Sequence, residues 1–75
     1  MTLKVNSMYK IADGYLIPVS HFKKYDTKEK GVEYAVFRRL VIENGGHYIA
    51  RHYTMTKAEI KKALGLAKNE RVEIV

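Results

Sequence analysis

The sequence predicts one α+β domain over residues 1–75, with a small, twisted, mostly antiparallel sheet of four to five strands packed on one C-terminal helix. Residues 32–55 hold two arms rich in Val, Ile, Tyr and Phe around an Asn-Gly pair, the strongest short-range signal for a β-hairpin. Residues 56–65 open with a capping box and close on a glycine, as short helices do. In chain order the predicted elements are β-β-loop-β-β-α-β.

The N-terminal part is predicted to contribute two strands. Residues 2–11 alternate imperfectly between apolar and polar side chains, which indicates a strand with a bulge near residues 6–7. Asp13-Gly14 is a favourable two-residue turn. Residues 15–19 form the second strand, and Pro18 places this strand at a sheet edge or ends it, because proline cannot donate a ladder hydrogen bond.

A polar connection leads from these strands to the hairpin. Residues 20–25 are predicted to form one helical turn with Ser20 as its N-cap. Residues 26–31 include Lys and Glu but no aliphatic side chain, so an exposed loop is expected there.

The hairpin turns about residues 44–46 (Asn-Gly-Gly), and its register is left open by the sequence. A two-residue turn places Arg38 near Arg51, whereas a three-residue turn places Arg39 near Arg51, because a slip of one residue exchanges the faces of a strand. Like charges opposed across a sheet are unfavourable, so either pair favours binding of an anion. A hairpin of this length cannot bury its apolar face alone, and the rest of the chain is expected to cover it.

The helix is predicted from its two caps. The Thr56 hydroxyl accepts the amide hydrogen three residues on, and Glu59 reaches back to the Thr56 amide. Gly65 stands where a left-handed C-cap belongs. The apolar stripe consists of Ala58, Ile60, Ala63 and Leu64, and the lysines of the polar side are Lys57, Lys61, Lys62 and Lys68. Residues 71–75 alternate and predict a short final strand.

Composition narrows the classes of function. The chain has no Cys, which excludes a disulfide framework and a thiolate metal site, and no cofactor or metal is expected. A 75-residue core is marginal, so a homodimer is expected to supplement it. No run approaches the about 18 apolar residues of a membrane span, and residues 1–5 lack a signal-peptide core. We therefore expect a cytoplasmic protein without a membrane partner.

The charge favours a nucleic-acid ligand. Fourteen Lys and Arg against eight Asp and Glu give a net charge of +6, which is the electrostatic footprint of nucleic-acid binding. Arginine forks match phosphate oxygens, and Tyr48 or Tyr53 offers a ring for base stacking. The candidate contacts are Arg38, Arg39, Arg51, His52, Lys57 and Lys61. The expected function is a non-enzymatic DNA-binding regulator or architectural factor, with duplex DNA favoured over RNA; the alternative is that these arginines pair with glutamates on a solvated face.

Two fragments of the chain resemble a family of DNA-binding regulators. Residues 60–66 (Ile-Lys-Lys-Ala-Leu-Gly-Leu) and 69–74 (Asn-Glu-Arg-Val-Glu-Ile) are similar to the helix, turn and Val-Glu-Ile strand of the AbrB/MazE-like swapped-hairpin transcription factors. Residues 13–25 resemble the Gly-Arg-Ile-Val-Ile-Pro segment of the same family, with Tyr15 where Arg is usual. The hairpin separates the two fragments. The resemblance implies a dimeric DNA-binding regulator.

Two further functions remain open at this point. Six tyrosines and the sheet arginines also suit a protein-binding adaptor or inhibitor, because Tyr and Arg are enriched at interface hot spots. Residues 46–52 (Gly-His-Tyr-Ile-Ala-Arg-His) resemble a stretch of HicA-type ribonuclease toxins, which implies a catalytic role for His47, although that family begins with a helix where this chain has strands.

Overall fold

The computed structural model describes residues 1–43, 45–46 and 48–75, and it has the α+β architecture that the sequence predicts. The elements are β1 (Thr2–Leu3), β2 (Tyr9–Ile11), β3 (Gly14–Pro18), β4 (Lys23–Lys24), β5 (Glu33–Ile42), β6 (Tyr48–Thr56), α1 (Lys57–Leu64) and β7 (Glu73–Ile74). Strands β2 to β6 form one antiparallel five-stranded sheet, and β1 pairs with β7 in parallel as a separate ribbon. Strand β5 is central: β6 lies along one side of it, and β3 and β4 follow one another along the other side.

One face of the five-stranded sheet is covered, and we call it the inner face. The odd-numbered residues of β5 point to it, with Ala35 and Phe37 fully buried. They pack with Leu16 of β3 and Ile60 of α1, and the ribbon of β1 and β7 completes the core. The cover that the hairpin was predicted to need therefore lies on the odd-numbered side, although the even-numbered side of β5 is the more aliphatic one.

The register of the hairpin is the one that a three-residue turn produces. Arg39 lies opposite Arg51, Arg38 lies opposite His52, and Ile42 lies opposite Tyr48. The predicted turn residue Asn44 and the predicted alternative catalytic residue His47 lie outside the described residues.

Two predictions for the N-terminal part are corrected. Residues 2–11 form two strands instead of one bulged strand, because the backbone turns at Asn6, whose φ is +69°. The turn between β2 and β3 consists of Ala12 and Asp13, with Gly14 already paired to Ile11. The glycine at position 14 is needed within the strand, because β5 approaches so closely that a Cβ on Gly14 would overlap the carbonyl oxygen of Leu40.

The helical turn predicted over residues 20–25 is wrong, because this segment contains β4, which pairs with the start of β5. The Ser20 hydroxyl does not cap a helix there; its oxygen accepts a hydrogen bond from the Val36 amide at 3.0 Å. The Val36 amide of β5 is therefore the donor to the Ser20 hydroxyl, in place of the helix amides that an N-cap would bind. The exposed loop over residues 26–31 and the end of β3 at Pro18 are as predicted.

Helix α1 has both predicted caps. Thr56 and Glu59 exchange the two hydrogen bonds of a capping box, and Gly65 ends the helix at φ +70° and ψ +29°. Ile60 is buried and Ala63 and Leu64 are half-buried, whereas Ala58 of the predicted stripe is exposed. Within the described residues, no helix has the length and hydrophobicity that crossing a membrane requires.

Candidate nucleic-acid interface

The other face of the five-stranded sheet carries no buried side chain, and we call it the open face. Directly paired residues lie on the same side of a sheet, so the strand register defines its members. They are Lys10 on β2, Tyr15 and Ile17 on β3, Lys23 on β4, Tyr34, Val36, Arg38, Leu40 and Ile42 on β5, and Tyr48, Ala50, His52, Thr54 and Thr56 on β6. Every one of these side chains is exposed or half-buried.

The open face is basic and has no acidic residue at its strand positions, all of which the structure describes. Three permanent cations, Lys10, Lys23 and Arg38, share it with His52. Every Asp and Glu of the chain lies elsewhere, in turns, in loops, on α1 or at other strand positions. Because no carboxylate on the face opposes these cations, its field attracts anions.

Arg38 lies at the centre of the open face. Its neighbours across the sheet are Ile17 on β3 and His52 on β6. Among the described residues, the ion pairs are Met1 with Glu70, Arg39 with Asp13, Lys57 with Glu33 and Arg71 with Glu73. None of them involves Arg38, so its exposed guanidinium is free to bind a phosphate in two-pronged fashion.

The facing pair Arg39 and Arg51 lies on the inner face. Arg39 Nη2 donates to both carboxylate oxygens of Asp13 at 2.9 Å. This hydrogen bond, with the charge of Arg39, lowers the pKa of Asp13 from its usual 3.8. Two facing arginines were expected from the sequence to bind an anion, and for Arg39 that anion is the Asp13 carboxylate of the same chain. The adjoining cavity, of about 260 Å³, also holds Glu43, which makes it mixed in charge.

The two helix lysines predicted to contact nucleic acid, Lys57 and Lys61, instead make contacts within the fold. Lys57 Nζ lies 3.4 Å from a carboxylate oxygen of Glu33 and 5.0 Å above the ring of Phe22. Lys61 Nζ donates to the carbonyl oxygen of Lys68 at 2.9 Å, next to the C-terminal end of the helix. Of the six residues predicted from the sequence, the structure brings only Arg38 and His52 together on the open face.

Lys10, Tyr15 and Lys23, which β2, β3 and β4 add to this face, were not among the residues predicted from the sequence. Lys10 Nζ lies 5.1 Å from the ring centroid of Tyr15, and Lys28 Nζ lies 5.2 Å from that of Tyr34. Tyr48, a predicted stacking residue, lies on the open face, whereas Tyr53 lies on the opposite side of the sheet. The sequence did indicate that Tyr34 and Arg38 share a face, because both occupy even-numbered positions of one strand. The residues of β2 to β4 could not be placed on that face from the sequence, because these strands pair with residues that are distant in the chain.

Neither the comparison with known proteins nor the search for metal sites identifies a function for the chain. Within the described residues, no three His, Asp or Glu side chains converge in a group that could hold a metal ion. No family model matches the chain, and no similar curated protein or solved structure was found. The resemblances to AbrB/MazE-like regulators and to HicA-type toxins therefore stay predictions.

Proposed function

We propose that the protein is a non-enzymatic nucleic-acid-binding domain, acting as a regulator or architectural factor, and that the open face is its binding surface. The observation that carries the proposal is the combination of Lys10, Lys23, Arg38 and His52 with three tyrosines on a face whose strand positions hold no acidic residue. Phosphate contacts supply most of the affinity in such proteins, and aromatic rings add base contacts.

The arrangement of the remaining charges supports the same surface. Arg39 and Lys57 are partly neutralised by Asp13 and Glu33, so they offer less attraction to a phosphate than their formal charge suggests. The basic residues of the open face have no such partner on their own face. The net charge of +6 then adds a long-range attraction for a polyanion.

The test compares two arginines that the sheet holds on opposite faces. Arg38→Ala and Arg51→Ala each remove one charge from an exposed strand position, but only Arg38 lies on the open face. We expect Arg38→Ala to weaken binding to all nucleic-acid sequences and to reduce the logarithmic salt slope by about 0.7–0.9. Arg51→Ala controls for the loss of net charge and should change both quantities much less. No retention on DNA or RNA at about 50 mM salt contradicts the proposal.

A protein-binding adaptor is the second candidate, and a specific observation favours it. Ile17, Val36, Leu40 and Ile42 lie among the charges of the open face, and Ile42 is 46% exposed. Exposed apolar side chains rimmed by polar ones mark protein interfaces. An adaptor predicts a stoichiometric complex that survives high salt and is lost in Leu40→Asp, together with indifference to nucleic acid.

We also propose that the protein self-associates through the outer edge of β6. The Val36 amide and carbonyl bond to Ser20 and Val19, so the even-numbered residues of β5 direct their backbone away from β6. Because backbone direction alternates along a strand, Tyr48, Ala50, His52 and Thr54 direct theirs outward. An unpaired edge of this length is a template for a second strand.

Sedimentation velocity tests the edge with two variants of one residue. Ala50→Pro removes an outward amide hydrogen and is tolerated at an edge strand, so it should leave a folded monomer. Ala50→Val keeps the amide and should leave the dimer intact. A monomeric wild-type protein at all accessible concentrations refutes the dimer without affecting the nucleic-acid proposal.

A further inference from the structure

We infer that the ligand of the open face is single-stranded nucleic acid, bound with its bases against the tyrosines, rather than a duplex. This inference rests on the proposed function and specifies the substrate class of the same surface. Three features of the described residues lead to it: the apolar side chains between the cations, the pairing of tyrosines with lysines, and the position of the helix.

The first feature is the apolar strip along the middle of the open face. Ile17, Val36 and Leu40 are half-buried and lie between the cationic side chains. A duplex presents its phosphates outward and keeps its bases stacked inside, so it would leave this strip facing charge and water. Unpaired bases have free apolar faces that can cover the strip. The mixture of aliphatic and basic side chains thus matches a single strand better than a duplex.

The second feature is that two of the three tyrosines on this face, Tyr15 and Tyr34, have a cation beside the ring. The ammonium groups of Lys10 and Lys28 lie 5.1 Å and 5.2 Å from the ring centroids of Tyr15 and Tyr34. A base that stacks on such a ring displaces the ammonium sideways, toward the phosphate of the same nucleotide. One ring and one lysine therefore form a unit that contacts both parts of a nucleotide.

The three tyrosines of the open face, Tyr15, Tyr34 and Tyr48, are spread along the length of the sheet. Tyr34 lies near one end of β5, and Tyr48 lies opposite Ile42 at the other end. Eight residues of strand separate those positions, which is about 27 Å at 3.4 Å per residue. Arg38 and His52 lie midway between them. This length accommodates a segment within the range of about 4–16 nucleotides that single-strand-binding domains cover.

The third feature is the position of α1, since an α-helix is one of the elements that can enter a major groove. The helix packs on the inner face, on the side of the sheet opposite Arg38 and His52. Its Lys57 is paired with Glu33, and its Lys61 bonds to a backbone carbonyl. A duplex docked on α1 would therefore leave the basic and aromatic residues of the open face unused.

The experiment measures fluorescence anisotropy with three labelled probes of about 12 nucleotides per strand: oligo-dT, oligo-rU and a mixed-sequence DNA duplex. We expect both single strands to bind more tightly than the duplex, and the ratio of the dT and rU affinities distinguishes DNA from RNA as the preferred source. The chain has six Tyr and no Trp, so stacking should also quench its intrinsic tyrosine fluorescence.

Substitutions of exposed tyrosines isolate the stacking contribution. Tyr48 is 56% exposed, so Tyr48→Ala should leave the fold intact and weaken single-strand binding by about 5- to 150-fold. Tyr48→Phe keeps the ring and should bind as the wild type does. Tyr53, 39% exposed on the other side of the sheet, provides the control Tyr53→Ala, which should have no effect.

The outcomes separate the inference from the function on which it rests. If the duplex binds as tightly as the single strands and Tyr48→Ala changes neither affinity, the single-strand inference is wrong while nucleic-acid binding stands. If none of the three probes binds at low salt, both proposals are wrong.

Discussion

Gly14 is the residue at which the fold is least tolerant of a side chain. A Cβ placed on it would overlap the carbonyl oxygen of Leu40 and lie 2.9 Å from the carbonyl carbon and 3.2 Å from the Cα of Val41. All three atoms belong to the backbone of β5 and cannot rotate away. Gly14→Ala must therefore push β3 away from β5, where Gly14 pairs with Val41 and Tyr15 pairs with Leu40.

The predicted loss of stability follows from the contacts that this shift disturbs. Overpacking costs about 1–3 kcal/mol, and each backbone hydrogen bond that is stretched or lost adds about 1 kcal/mol. We expect Gly14→Ala to lower the free energy of unfolding by about 3–5 kcal/mol, a large fraction of the stability of a small domain. Strand propensity alone predicts the opposite sign, since Gly in a strand is about 0.5–1 kcal/mol less stable than Ala.

Urea unfolding followed by far-UV circular dichroism measures this difference. Gly31→Ala is a matched control, because both glycines have a positive φ (+157° at Gly14 and +81° at Gly31), but a Cβ on Gly31 would meet nothing within 4 Å beyond its chain neighbours. It should cost only about 1–2 kcal/mol, the strain of a left-handed alanine. An unchanged or raised urea midpoint in Gly14→Ala refutes the close approach of β3 and β5.

Three other substitutions test separate parts of the fold. Thr56→Ala removes the capping box and should lower the free energy of unfolding by about 1 kcal/mol in urea titrations, whereas the neighbouring Lys57→Ala, which removes a weak surface ion pair with Glu33 and an exposed contact with the Phe22 ring, should change it less. Phe37→Leu trims a side chain with no exposed surface and should lower Tm markedly, whereas Tyr53→Leu at a partly exposed site should not. Because the pKa of Asp13 is lowered, its carboxylate stabilises the fold above the usual pKa of 3.8, and this contribution disappears as the pH falls through the lowered value. Asp13→Asn should therefore reduce the fall of Tm with decreasing pH in that range. A Tm that falls with pH as steeply as in the wild type contradicts the Arg39 contact.

The parts of the fold that follow local rules were predictable from the sequence. The hairpin arms, the capping box of Thr56 and Glu59 and the C-cap at Gly65 depend on residues close together in the chain. The register of the hairpin depends on the length of its turn, which an Asn-Gly-Gly sequence leaves open between two and three residues. The register observed decides that Arg39, and not Arg38, faces Arg51.

The candidate site depended on contacts that no local pattern contains. The even-numbered residues of β5 are the more aliphatic, yet the odd-numbered ones are buried, because Phe37 and Ala35 fit against Leu16 and Ile60. Tertiary packing therefore decides which face stays open. The pairing of Arg39 with Asp13, 26 residues away, likewise depends on how β2 and β3 dock on β5.

Binding through the open face is the central claim, and an NMR titration of the ¹⁵N-labelled protein with a single-stranded oligonucleotide tests it most directly. The claim predicts that shift changes cluster on the amides of β3, β5 and β6 around Tyr15, Arg38 and Tyr48, together with the Arg38 side-chain Nε–Hε signal. Shift changes confined to α1 and to the surroundings of Arg51 would contradict it.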